Sequence, residues 1–121
     1  MAQLRPENLK VETSDGTHGA RIMKLSGQLT LHTLFEFQQA ARQEGTKPII
    51  LDIAELTYMD SGGLGSVLGV FASCQRTQRG FAVTGLTERI RTLLEVSRVN
   101  ELLPCFHSLE AAESAVAKHS A

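Results

Sequence analysis

The sequence predicts an α/β fold: a mixed, mostly parallel sheet of four or five strands, with about four helices mainly on one face. Three observations carry that expectation. Short apolar runs alternate with longer stretches of helical spacing, Gly and Pro punctuate the boundaries, and one run, Pro48-Ile49-Ile50-Leu51-Asp52-Ile53, is apolar apart from Asp52. Strands that alternate with helices pair in parallel through right-handed crossovers, which places the helices against the sheet.

Taken in order, residues 9–13 and 20–26 read as strands around a polar loop, residues 14–19. Ile22-Met23-Lys24-Leu25 is apolar with one polar interruption, as expected for a sheet covered mainly on one side. Residues 33–44 read as a helix in which Thr33 and Glu36 form a capping box and Gly45 supplies the stop. Its apolar face is expected at Leu34, Phe35, Gln38 and Ala41. Residues 48–53 suit a central strand buried on both sides, and residues 54–60 read as the connection that follows.

A second helix is expected over residues 61–78, ended by Gly80, and a strand over 81–84. Thr87 caps a third helix carrying Ile90, Leu93 and Leu94. Residues 103–106 form a short last strand, and Ser108 caps a final helix to about residue 118, with Leu109, Ala112 and Val116 on one face. The order is β-β-α-β-α-β-α-β-α. Ile50, Leu51, Ile53, Leu64, Leu68, Phe71, Val83 and Leu94 are the expected core.

Bulk composition narrows the function. A chain of 121 residues is expected to form one domain spanning 1–121, with a core of its own. Twelve basic and 13 acidic residues give a net charge of −1, which argues against a general nucleic-acid or membrane surface. Cys74 and Cys105 are far apart in apolar settings and read as small core residues in a reducing compartment. The polar start of the chain, residues 1–10, carries no secretory pattern, and no apolar run approaches a membrane span, so a cytoplasmic location is expected.

The informative segment is Leu56-Thr57-Tyr58-Met59-Asp60-Ser61-Gly62-Gly63-Leu64-Gly65. It sets a hydroxyl at a loop-to-helix junction, where the first helical N–H groups lack partners and the helix dipole is positive. A phosphate on Ser61 would bond those N–H groups, unshielded at Gly62 and Gly63. Ser and Asp are also the commonest helix caps, so the string alone has an ordinary reading as a cap. Helical spacing adds a second feature. Leu64, Val67, Leu68, Phe71 and Gln75 fall on one side, and Gly62, Gly65, Ser66, Gly69 and Ser73 on the other. Interior glycines cost about 1 kcal/mol each relative to Ala. A stripe free of bulk suits a surface on which another protein's backbone docks, flanked by exposed Met59 and Val70; the opposite reading turns the glycines towards the sheet.

These residues resemble the STAS domains of anti-sigma-factor antagonists. In that family a hydrophobic strand, here Ile50-Leu51-Asp52-Ile53, leads to Asp-Ser-Ser/Thr/Ala-Gly-Leu-Gly at the head of a helix, here Asp60 to Gly65. Leu25-Ser26-Gly27-Gln28-Leu29-Thr30 is similar to the family's earlier Gly-Glu-Leu/Ile-Asp turn, and residues 87–94 with 99–103 resemble its later helix and turn. The resemblance implies that Ser61 is phosphorylated by a partner that is both serine kinase and anti-sigma factor. It implies that Asp60 shapes the phosphoacceptor's surroundings, and that a serine phosphatase resets it. The unphosphorylated form binds the anti-sigma factor and frees a sigma factor. Asp60, Gly62, Gly63, Gly65, Ser66, Gly69, Met59, Thr30 and His32 are the expected partner-binding residues. This sequence departs from the family at Gln28, Thr30, Gly62 and Arg98, where many members have Glu, Asp, a small or hydroxylated residue, and Gly.

Other classes fit less well. The Gly62 to Gly65 run lacks the Walker spacing and its Lys, GxGxxG and GxSxG are absent, and His18, His32, His107 and His119 show no HExxH-type spacing. No enzyme, metal or cofactor is expected, though the family likeness admits weak nucleotide binding. The alternative is a STAS subunit of another assembly, such as a stressosome, a lipid-transport complex or a transporter tail, with no sigma-factor role.

Overall fold

A computed structural model describes residues 8–120. The leaderless reading of the first ten residues lies largely outside that span, as does the side chain of His119. Five strands form one sheet in sequential order: β1 (Leu9–Asp15), β2 (Arg21–Leu29), β3 (Ile49–Met59), β4 (Phe81–Thr84) and β5 (Cys105–Phe106). β1 and β2 pair antiparallel around a 3-10 turn at Thr17–Gly19, and all later pairs are parallel. The parallel steps are made through α1 (Leu34–Gln43), α2 (Ser61–Arg76) and α3 (Glu88–Val96). Successive crossovers of one hand, each moving one strand in the same direction, put their helices on the same face. The last helix, α4 (Leu109–Ser120), returns over the other face.

The alternation of side chains along β3 divides the core. Leu51 and Ile53 point to the three-helix face and pack with Met23, Leu25, Val83, Phe37, Leu64 and Leu94. Ile50, with Ala20 and Ala82, points the other way and is covered by Ala112 and Val116 of α4. Of the expected core, Ile50, Leu51, Ile53, Leu64, Val83 and Leu94 are buried, while Leu68 and Phe71 are only half-buried.

Several expectations need correction. Residues 54–59 are not a connection: β3 continues through them beside β2, whose register shifts between Lys24 and Ser26 and between Gly27 and Gln28. These irregularities let both strands run on together to Leu29 and Met59. α1 buries Phe37 and Ala41, not Phe35, which is 61% exposed. The capping box at Thr33 does not form, because the Thr33 hydroxyl is engaged in the preceding loop. α2 ends at Arg76, ahead of Gln78, which takes a left-handed conformation (φ 59°). Thr87 and Ser108 do cap their helices, accepting from the N–H groups of Ile90 and Ala111. Arg98 has φ 63°, a left-handed conformation that Gly adopts more readily than a residue with a side chain.

The two phenylalanines of α1 test this packing. Phe37→Ala should lower stability by about 3–5 kcal/mol, and Phe35→Ala should stay within about 0.5 kcal/mol of the parent. Urea denaturation of both proteins reads the difference; equal losses would mean that α1 is rotated from the arrangement described.

Candidate functional site

The site is built where β2 and β3 end side by side. Leu29 and Met59 are register partners, and the next residues on each chain, Thr30 and Asp60, lead into the β2–α1 loop and into α2. The loop is closed by its own threonines. The Thr33 hydroxyl accepts from the Thr30 N–H (2.9 Å) and donates to the Gln28 carbonyl (2.8 Å). Thr30 Oγ1 accepts from the His32 N–H (3.1 Å), and the Thr30 carbonyl accepts from the N–H groups of Thr33 (3.1 Å) and Leu34 (2.8 Å).

Asp60 joins this loop to α2. Its backbone is extended, and it is the N-cap of the helix. One carboxylate oxygen accepts from the Gly63 N–H (2.7 Å), and the other accepts from the Leu31 N–H across the junction (3.1 Å). The Asp60 N–H donates to the Leu29 carbonyl (3.3 Å). One side chain therefore satisfies an orphan helix donor and pins the neighbouring loop.

The glycines are of two kinds. A Cβ at Gly63 would stand 2.1 Å from the Leu29 carbonyl oxygen, and one at Gly62 would stand 3.2 Å from Leu31 Cα. These two let the loop lie against the first turn of α2. A Cβ at Gly65 or Gly69 would meet nothing within 4 Å, and both residues are exposed. The glycines are thus divided: Gly62 and Gly63 face protein, and Gly65 and Gly69 face solvent.

Ser61 is the first residue of α2 and is exposed, and its hydroxyl has no hydrogen-bond partner among the described residues. Exposed His32, Gly65 and Gly69 share the surface. The other expected partner-binding residues lie beneath it. Thr30 is 1% exposed and Met59 6%, and Ser66 is buried with its hydroxyl donating to the Gly63 carbonyl (2.6 Å). Val70, expected as an exposed flank, is buried as well. The helical wheel missed Ser66 and Val70 because α2 has two neighbours, the sheet and α1, so its buried arc is wider than a single sheet contact implies; Met59 is buried because β3 continues to it.

Leu31, 67% exposed, and Phe35 were missed as surface residues. The signal for Phe35 was available in the spacing of Phe37 and Ala41, which fixes the inward face of α1 and leaves Phe35 out of phase. The described residues include no cluster of three His, Cys, Asp or Glu able to hold a metal. Burial pushes the thiols of Cys74 and Cys105 above their ordinary value, which disfavours the reactive thiolate. No helix among the described residues is long and apolar enough to cross a membrane.

The fold and this junction define a STAS domain. Residues 13–104 match the family model described as Mlab, STAS domain, and the chain belongs to the STAS-domain family. It is 31% identical over 100 residues to the anti-sigma-B factor antagonist of Staphylococcus epidermidis, a match covering 79% of this chain and 91% of that protein. Among solved structures, an anti-sigma factor antagonist from Mycobacterium paratuberculosis superposes with a TM-score of 0.82 at 19% identity, covering 93% of this chain and 97% of that one. The Bacillus cell fate determinant SpoIIAA in its phosphorylated form gives a TM-score of 0.65 at 20% identity, covering 87% and 98%.

The contrast between glycines is measurable. Gly63→Ala should destabilise by about 1–3 kcal/mol, because the added methyl meets backbone, whereas Gly65→Ala should stabilise by about 0.5–1 kcal/mol through helix propensity. Denaturant midpoints of the two variants decide it, and a harmless Gly63→Ala would contradict the close docking of the loop.

Proposed function

We propose that this STAS domain is an anti-sigma factor antagonist, a binding module that sequesters an anti-sigma factor with serine-kinase activity and is switched off by phosphorylation of Ser61. The observation that carries the reading is an exposed Ser61 hydroxyl at the first residue of α2, on a turn fixed from both sides by Asp60. The likeness to antagonists from Staphylococcus epidermidis and Mycobacterium paratuberculosis supports it.

Unphosphorylated, the surface around Ser61 offers little charge and little bulk: Gly65 and Gly69 on α2, Leu31 and His32 on the loop, and Phe35 on α1. Apolar Leu31 and Phe35 supply contact area for a partner, and the two glycines permit close approach. Phosphorylation adds roughly 1.5 to 2 negative charges. The geometry also limits how well the helix end accommodates them. The Gly63 N–H is already taken by the Asp60 carboxylate, and the Leu64 N–H by the Asp60 carbonyl (2.9 Å), which leaves those of Ser61 and Gly62. The Asp60 carboxylate itself adds like charge next to the modified residue. The dianion is tolerated at a solvent-facing helix end but becomes costly when a partner covers it. A serine phosphatase restores the binding form, and the buried residues Thr30, Met59, Gly63 and Ser66 act by shaping the surface from beneath.

The expected outcome is a loss of affinity without loss of fold. Burying a mismatched charge costs about 2–5 kcal/mol, roughly 30-fold to several thousand-fold in Kd. The anti-sigma factor captured by the Ser61→Ala protein should bind wild type and Ser61→Ala alike and bind Ser61→Asp or phosphorylated protein poorly, with similar melting temperatures. Titration calorimetry checks this. Equal affinity for all forms would remove Ser61 as a switch and favour an unregulated STAS subunit of another assembly.

A further inference from the structure

The groove between α1 and α2 holds a chemistry that the Ser61 surface lacks. It is open, with a volume of about 480 Å³, in the range of ligand-binding clefts. Three guanidinium groups line it: Arg42 and Arg76, in the last turns of α1 and α2, and Arg79 just beyond. The hydroxyl residues Ser66, Ser73 and Thr77 lie among them, and no Asp or Glu lines the groove. Glu44, at the end of α1, is engaged by Arg21 (2.8 Å). In a chain with a net charge of −1, this is a local concentration of positive charge without its counter-charge.

Arg42 and Arg76 have one ordinary reason to be there, since cations in the last turn offset the negative end of the helix dipole. That reason does not extend to Arg79. Its guanidinium is held at the groove by Thr77 Oγ1 (2.9 Å), the Lys47 carbonyl (3.1 Å) and Ser73 Oγ (3.4 Å). Arg76 has no hydrogen-bond or ion-pair partner among the described residues. One cation is thus fixed in place, and another has its donors unspent.

We propose that this groove is an anion site that receives an acidic segment of a protein partner. Guanidinium forks pair with carboxylates through two parallel hydrogen bonds, and the Ser73 hydroxyl supplies a further donor, those of Ser66 and Thr77 being spent on the Gly63 and Ser73 carbonyls. No aromatic ring lines the groove, so it offers no platform for a nucleobase. Gly69, at which even a Cβ would meet nothing within 4 Å, leaves room for an extended chain to lie along α2. The site shares Gly69 with the Ser61 surface, but its three cations lie at the other end of α2 and do not depend on a switch at Ser61.

The test is a titration of the full chain into fluorescein-labelled hexaglutamate, with hexaglutamine as the control. Saturable binding of hexaglutamate alone is expected, weakened about tenfold between about 20 mM and 200 mM NaCl. Arg76→Glu should weaken it about tenfold or more, and Arg76→Lys, which keeps the charge, should lose less than Arg76→Glu. Because Arg76 lacks partners, Arg76→Lys should leave the melting temperature unchanged, and Arg76→Glu, which opposes the helix dipole, should lower it by no more than a few degrees. Amide shifts in the isotope-labelled protein should move residues 38–45 and 66–79 and spare residues 58–63, which separates this site from the Ser61 surface. Absence of saturable binding, indifference to Arg76→Glu, or shifts confined to the Ser61 end would overturn the proposal. So would Arg76-dependent binding of ATP or inorganic phosphate without binding of hexaglutamate.

Discussion

The carboxylate of Asp60 holds the functional end of this domain together. It caps α2 through the Gly63 N–H and reaches across to the Leu31 N–H, so a helix from one crossover and a loop from another become a single surface. The contact is possible only because Gly63 brings its Cα against the Leu29 carbonyl, where any side chain would clash. Cap, bridge and close approach support one another: without the bridge the loop carrying Leu31 and His32 loses its hydrogen bond to Asp60, and a side chain in place of Gly63 would push the loop away.

The rest of the fold delivers the two strand ends to that point. β2 and β3 stay paired to Leu29 and Met59 despite two register shifts, so Thr30 and Asp60 emerge side by side. Three helices on one face bury the main apolar cluster, and α4 closes the other face over Ile50 and Ala82. Ser61 therefore stands on a turn whose geometry is set by the core. A charge placed there by the proposed phosphorylation would act on a docked partner, while the hydrophobic contacts that fix the sheet lie elsewhere. That separation suits a switch that changes affinity and leaves the fold alone.

Much of this was legible in the chain. The alternation of strands and helices, the caps at Thr87 and Ser108, and the apolar run of β3 all follow from local chemistry, and Ser61 could be placed at the head of a helix from Asp60 and the glycines that follow. What escaped depended on partners distant in sequence. Thr33 looked like a capping-box residue, but its hydroxyl is drawn into the loop by Thr30 and Gln28. Met59 and Val70 looked like exposed flanks, yet α1 and the continued pairing of β3 bury them. The two roles of the glycines could not be separated on a helical wheel, because only the position of Leu29 and Leu31 distinguishes Gly62 and Gly63 from Gly65 and Gly69.

The central claim is that phosphorylation of Ser61 adds charge to a turn that remains formed. Amide hydrogen exchange measured on the unphosphorylated and the Ser61-phosphorylated protein tests it most directly. The account predicts that the Gly63 and Leu31 amides keep their protection in both forms, along with the core strands, because the Asp60 bridge persists. Loss of protection at those two amides on phosphorylation would show that the bridge breaks, and that the switch works by rearranging the loop instead of by charge alone.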